Sequence, residues 1–83
     1  MKNLYMTKGV MELTASNPKF GKAVPRFHLL DWGDLCEEDK KTNDIAVMER
    51  ERIVARYNLE PRAIYIISEA DRSATTISFP EEY

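Results

Sequence analysis

The stretch 31–40 constrains the fold most, because it combines the only tryptophan and the only cysteine with five of the fourteen acidic residues. We expect the main helix to begin here and to span about 34–48. Asp31 or Asp34 would cap its N-terminus, and acidic residues in its first turns would interact favourably with the positive end of the helix dipole. Asp34 and Glu37 also have the spacing of a capping box.

The size of the chain bounds what it can build. Eighty-three residues, 43% of them hydrophobic and eight of them aromatic, allow one domain over 1–83 with one modest core. A single cysteine excludes an internal disulfide and a cysteine-rich zinc site. No signal-peptide pattern and no membrane-length apolar run occurs, so a cytoplasmic location is expected. Separately, no cofactor is expected.

The remaining segments indicate an α+β fold. Residues 3–14 alternate weakly and predict one or two short strands, with Gly9 at a turn or bulge. Residues 19–27 are expected to be irregular, because Pro25 argues against a long helix. Three further strands are predicted at 53–57, 63–68 and 75–79, with 63–68 in a central position because both of its faces are apolar. The prediction is an antiparallel sheet of three to four strands with one main helix packed on a face.

The predicted helix carries polar residues on its apolar side. At 100° per residue from Leu35, Asp39 and Asn43 lie in the same stripe as the apolar residues. Burying a carboxylate is unfavourable unless it is paired, and Arg72 in the last hairpin loop is its expected partner. A buried network that fixes the helix on the sheet is the favoured interpretation. A ligand site is the alternative.

Three other side chains have a chemical and a structural interpretation. His28, the only histidine, is close in sequence to two aspartates and could be a general base or a metal ligand, although a packing or surface role is favoured. Cys36 is expected to be a buried hydrophobe, and Trp32 a core residue. The candidate polar network or ligand site therefore contains His28, Trp32, Asp39, Asn43, Asp71 and Arg72.

Charge is distributed unevenly along the chain. Residues 31–49 hold seven acidic residues against Lys40 and Lys41, within a net charge of −2. A solvated helix face is one interpretation, and a surface that meets a basic partner is the other. The basic residues of 1–30 are too few to predict direct nucleic-acid binding. The candidate partner-binding residues are Asp31, Asp34, Glu37, Glu38 and Asp44.

Three segments carry a family resemblance. They are Asp31-Trp32-Gly33-Asp34-Leu35 with Glu38-Asp39-Lys40 and Asn43, then the run from Ile66 to Thr76, and finally Pro80-Glu81-Glu82-Tyr83. Together they resemble a family of small bacterial proteins carried by plasmids, phages and other mobile elements. Members are often labelled "type I restriction endonuclease subunit M". That label does not fit 83 residues without a glycine-rich strand–turn–helix for a cofactor. In the N-terminal part, which departs from the family, the segment with Pro25 replaces an expected helix.

The resemblance implies an accessory protein of a mobile element. The first functional hypothesis is therefore a non-enzymatic protein-interaction module, such as an anti-CRISPR or anti-restriction inhibitor that acts on a nucleic-acid-binding defence complex through an acidic face. The second is a small-molecule or metal-binding domain, hydrolase-like or sensor, built around His28, Asp39 and Arg72. The third is a structural module that works as a homodimer through a free sheet edge.

Overall fold

A four-stranded sheet organises the residues that the computed structural model describes, which are 3–59 and 62–82. Its strands are β1 (Leu4–Met6), β2 (Ile53–Leu59), β3 (Arg62–Ser68) and β4 (Thr75–Ser78), in the order β1-β4-β3-β2. Strands β2, β3 and β4 form the predicted antiparallel meander, with β3 in a central position. Strand β1 instead pairs in parallel with β4, so the sheet is mixed. The predicted α+β class is confirmed.

One face of the sheet carries the core. Alternate residues of β2 and β3 are buried there, including Tyr57, Ile64 and Ile66, as expected for a period of two. Helical residues such as Phe20 and Phe27 belong to the same hydrophobic cluster. In the part of the chain that the structure describes, no helix combines the length and the apolar character needed to cross a membrane.

The main helix, α3 (Glu37–Glu49), begins three residues later than predicted. Its N-cap is Cys36, whose side chain makes no capping hydrogen bond, so neither aspartate has the expected capping role. Cys36 is exposed, which corrects its assignment as a buried hydrophobe. The helix ends at Arg50 in the left-handed region, with φ of 56°.

The N-terminal segment contains a helix that was predicted as strand. After β1, Thr7 caps α1 (Lys8–Ser16) by accepting a 3.4 Å hydrogen bond from the Val10 amide. Gly9 lies inside the helix, not at a turn. A Cβ there would lie 2.8 Å from the Phe79 ring, so the absence of a side chain allows this close approach.

The segment around Pro25 is helical rather than irregular. A 3-10 helix (Pro18–Lys22) leads directly into α2 (Ala23–His28). Pro25 is the third residue of α2, where its missing N–H would have no intrahelical partner. The expected loss of a helix in this region is therefore wrong. Strand β2 continues to Leu59, two residues beyond the predicted end at 57, and Glu60 and Pro61 lie outside the described residues.

Candidate partner-binding surface

Asn43 joins α3 to the outer edge of β2. Its side chain donates to the Val54 carbonyl at 2.9 Å and accepts from the Val54 amide at 3.4 Å. An edge strand otherwise presents such groups unpaired. Because Asn43 is buried, these bonds are shielded from water, and the prediction that this polar residue faces the sheet is confirmed.

The same edge is closed further along by Gly33 and Asp34. The Asp34 amide donates to the Arg56 carbonyl at 2.7 Å, and the Asn58 amide donates to Asp34 Oδ2 at 2.8 Å. Gly33 has φ of +77°, and a Cβ there would lie 2.1 Å from the Arg56 oxygen. Only glycine permits this approach. We call Gly33, Asp34 and Asn43 together the sealed edge.

Trp32 anchors the segment that leads to the sealed edge. Its indole is buried against the Phe27 ring, with the ring centroids 5.5 Å apart, and its Nε1 donates to Asp44 Oδ1 at 2.8 Å. The Tyr57 hydroxyl donates to the Asp31 carbonyl at 2.7 Å. Burial raises the pKa of Tyr57, so the hydroxyl remains a donor at ordinary pH. The assignment of Trp32 as a core residue is confirmed.

Asp31 is paired locally with Arg26. The guanidinium Nε donates to Asp31 Oδ2 at 2.8 Å, and the Gly33 amide donates to Oδ1 at 3.0 Å. These two hydrogen bonds, the one from Arg26 first, lower the pKa of the Asp31 carboxyl. Because the ion pair is exposed, its contribution to stability is small.

Arg72 holds the C-terminal end of α3 instead of pairing with Asp39. Its Nη1 donates to the carbonyls of Glu51 at 2.7 Å and Glu69 at 3.0 Å, and its Nη2 donates to the Ala46 carbonyl at 3.0 Å. Only Ala46 belongs to α3, and its carbonyl also accepts from the amides of Arg50 and Glu51. A cation at this position interacts favourably with the negative end of the helix dipole. The predicted Asp39–Arg72 pair is therefore wrong.

Asp39 is exposed, which corrects its predicted burial. The helix phase is not the error, because on the helical wheel Asp39 lies about 40° from Asn43 and about 20° from Ala46, which are the buried residues of α3. Asp39 is instead in the first turn of α3, where it lines an open cavity with Leu35 and Asn43.

The five acidic residues predicted to bind a partner divide into two groups. The carboxylates of Asp31, Asp34 and Asp44 accept hydrogen bonds within the fold. Glu37 and Glu38 are exposed in the first turn of α3, and Glu37 Oε1 lies 3.7 Å from Lys40 Nζ. The second group is therefore the better candidate for contact with a partner.

Two apolar residues share the exposed side of α3 with these acids, and the sequence reasoning missed them. Ile45 is 57% exposed and Met48 is 82% exposed. We call this surface the outer face of α3; its residues are Glu37, Glu38, Lys41, Ile45 and Met48. The four consecutive apolar residues at 45–48 could have indicated it, because positions 100° apart cannot all face one sheet.

Exposed apolar residues also occur at the end of α2. Leu29 is 81% exposed and Leu30 is 53% exposed. Leu30 lines a cavity together with Val47 of α3, so the end of α2 lies near α3. Val47 is turned about 100° from Met48 on the helix, so the exposed apolar residues occur on two neighbouring elements rather than on one continuous face.

The second predicted site is not assembled around its three central residues. Asp39 lines a shallow cavity with Arg52 and Tyr65, whereas His28 and Arg72 line a different one. Asp71 accepts a 3.0 Å hydrogen bond from the Ser73 amide in the hairpin loop. Within 3–59 and 62–82, no three His, Cys, Asp or Glu side chains are grouped so that they could hold a metal ion.

The dimer hypothesis needs a free sheet edge. The edge strands of the described sheet are β1 and β2, and because the sealed edge covers β2, β1 is the strand that the hypothesis would use. This strand has three residues, and its Leu4 and Tyr5 side chains are exposed. Comparison with protein-family models, curated proteins and solved structures gave no match. The resemblance to the mobile-element family and the dimer both stay predictions.

Proposed function

We propose that this protein is a non-enzymatic protein-interaction module of a mobile element. In this proposal it inhibits a host defence complex, such as a CRISPR or restriction complex, by docking through the outer face of α3. The observation that carries the proposal is the exposure of Ile45 and Met48 beside Glu37 and Glu38 on one helix. An exposed apolar patch bordered by charge is characteristic of protein-binding surfaces.

The chemistry of the surface suggests the kind of partner. On the outer face of α3, Glu37 and Glu38 supply two carboxylates in the first turn, against the single positive charge of Lys41. A complementary partner would present a basic groove, as nucleic-acid-binding complexes do, and charge attraction would mainly accelerate association. The apolar residues in the second half of the helix would then supply the buried contact that slows dissociation.

The expected contact is larger than one helix face. A 13-residue helix is about 20 Å long, whereas a stable interface buries about 800 Å² on each partner. Leu29 and Leu30 are exposed at the end of α2, near α3, and add apolar surface. The interface would therefore include the end of α2 as well as the outer face of α3.

The proposal is tested by capture of a defence complex on the immobilised full chain. The lysate should come from a host that expresses CRISPR and restriction systems, and the retained proteins should be identified and quantified by mass spectrometry. Stoichiometric retention of one such complex is the expected result. Recovery of no defence complex would overturn the inhibitor proposal.

Variants of the outer face make this test specific. Ile45→Ser with Met48→Ser should reduce retention at least tenfold, and Glu37→Lys with Glu38→Lys should slow association in low salt. Met11→Ser is the matched control, because Met11 is an exposed apolar residue of α1 outside this surface. Equal retention by the control and the α3 variants would exclude α3 as the contact. Asp34 and Asp44 should stay unchanged, since their carboxylates hold the fold.

A further inference from the structure

A cavity of about 200 Å³ opens where the ends of α2 and α3 meet the sheet. Most of its lining residues are apolar. Its polar residues include Ser68 at the end of β3, Thr75 at the start of β4 and Arg72 in the loop between these strands. None of its lining residues is acidic, within the part of the chain that the structure describes. The lining is formed by Phe27, His28, Leu30, Trp32, Val47, Ile53, Ser68, Arg72 and Thr75.

Two hydroxyl groups line this cavity side by side. The register of β3 with β4 pairs Ser68 with Thr75, so both side chains are on the core face of the sheet. They are only 5% and 2% exposed. Among residues 3–59 and 62–82, neither hydroxyl takes part in a side-chain hydrogen bond, and neither oxygen is fully buried. Both hydroxyls can therefore donate a hydrogen bond to a group that enters the cavity.

Arg72 adds a positive charge to the same cavity. Its hydrogen bonds go to three neutral backbone carbonyls, and no described carboxylate lies within ion-pair distance of it. A guanidinium has five N–H donors, so three bonds leave two for a ligand. The charge and the two hydroxyls together are complementary to an anion.

Two residues of the cavity have an unusual backbone conformation. Leu30 has φ of 64° and Arg72 has φ of 61°, a region that side chains with a Cβ seldom adopt. Leu30 is the residue after the C-cap of α2 in a Schellman motif, in which the Leu30 amide donates to the Phe27 carbonyl and the Asp31 amide donates to the Arg26 carbonyl. Arg72 lies in the turn that its amide closes by donating to the Glu69 carbonyl. These conformations are therefore explained by the helix end and the turn.

We propose that the cavity binds a small organic carboxylate with an apolar body, such as a short-chain aliphatic acid. The carboxylate accepts hydrogen bonds from Ser68, Thr75 and Arg72, and the hydrocarbon chain contacts Trp32 and Phe27. The cavity is smaller than the roughly 300–1,000 Å³ of sites for drug-sized molecules, so the ligand is small. This inference does not depend on the proposed inhibitor function.

The binding test uses the full chain with hexanoate and, as a neutral probe of the same length, hexan-1-ol. Trp32 is the only tryptophan and lines the cavity, so its fluorescence reports occupancy, and the backbone amide signals of Ser68 and Thr75 provide a second readout. Saturable binding of hexanoate, with hexan-1-ol at least tenfold weaker, is expected. Equal binding of both probes would overturn the carboxylate assignment, and no saturable change in either readout would overturn the site.

Substitution of the hydroxyls localises the ligand. Ser68→Ala with Thr75→Val should weaken hexanoate binding about tenfold, as expected for lost hydrogen bonds to a charged group. Thr76→Val is the matched control, because Thr76 is the next residue on the opposite face of the sheet. Thermal unfolding followed by circular dichroism should verify that each variant folds. If the double variant and Thr76→Val weaken hexanoate binding equally, the Ser68 and Thr75 hydroxyls do not bind the carboxylate.

Discussion

The sealed edge and the outer face of α3 both contain acidic residues but use them differently. At the sealed edge, Asp34 and Asn43 form hydrogen bonds with backbone groups of β2, so these polar atoms are occupied within the fold. On the outer face, two glutamates and two large apolar residues contact mainly solvent. The difference shows that Asp34 and Asn43, which the sequence suggested as site residues, hold the fold together. The residues available to a partner include Ile45 and Met48, which are common core residue types found here on the surface.

The strongest test of this contrast is Asn43→Ala. The change should lower the free energy of unfolding by about 2–3 kcal/mol, because both polar groups of Val54 lose their partner in a shielded position. Asp39→Ala is the matched control one turn earlier on the same helix, and it should stay within about 0.5 kcal/mol of the wild type. Urea denaturation measures both. Equal stability of the two variants would contradict the sealed edge.

Arg72→Leu should have the next largest effect, about 2 kcal/mol of destabilisation. It removes three hydrogen bonds to backbone carbonyls and the cation at the C-terminal end of α3. Arg72→Lys keeps the charge but loses the planar fork, so it should recover only part of the loss. Urea denaturation followed by far-ultraviolet circular dichroism compares the three proteins. If Arg72→Lys restores the full wild-type free energy of unfolding, the positive charge of Arg72 is sufficient and its hydrogen-bond geometry is not needed.

Leu30→Gly should stabilise the protein by about 0.5–1 kcal/mol, because glycine adopts a positive φ without steric cost. Leu29→Gly is the matched control. Leu29 is also an exposed leucine but has φ of −88°, so glycine there should be neutral or destabilising. If Leu30 serves the partner surface, the stabilised variant should bind its partner less well. Thermal unfolding and the capture assay give the two readouts.

The smallest expected effect concerns pH. The pKa of Asp31 is lowered in the folded protein, first by the hydrogen bond from Arg26. Its contribution to stability is therefore present above the unfolded pKa of about 3.9 and is lost as pH falls through the lower folded value. Below about pH 4 the wild type should lose stability more steeply than Asp31→Asn, with a difference under about 1 kcal/mol at pH 7. In an Arg26→Gln background the difference between the two acid-unfolding curves should shrink without vanishing, because the Gly33 amide still donates to Asp31.

The strands were largely predictable from sequence, and the helices only in part. Alternating residues identify β4, and apolar residues on both faces identify the central strand β3. The strand predicted at 53–57 corresponds to β2. Helix α1 was missed because its start depends on Thr7, a cap without the glutamate that usually signals one. Pro25 concealed α2, since a proline in the first turn is compatible with a helix.

The candidate site was predicted less well, because it depends on tertiary contacts. The sequence correctly indicated that Asn43 is buried and that Trp32 belongs to the core. It did not indicate that Arg72 binds carbonyls at the end of α3, since backbone acceptors leave no trace in the residue pattern. The pairing of Ser68 with Thr75 follows only from strand register, which the hairpin loop between them does not specify.

The parallel pairing of β1 with β4 also affects how the protein is made. The Asn3 side chain donates to the Ser73 carbonyl 70 positions later, so β1 has no strand partner until β4 has been synthesised. At about 5–20 residues per second, this wait lasts several seconds. During that time α1 and α2 lack the sheet on which they pack. Strand β1 is therefore made before the other three strands and cannot pair until the last of them is available.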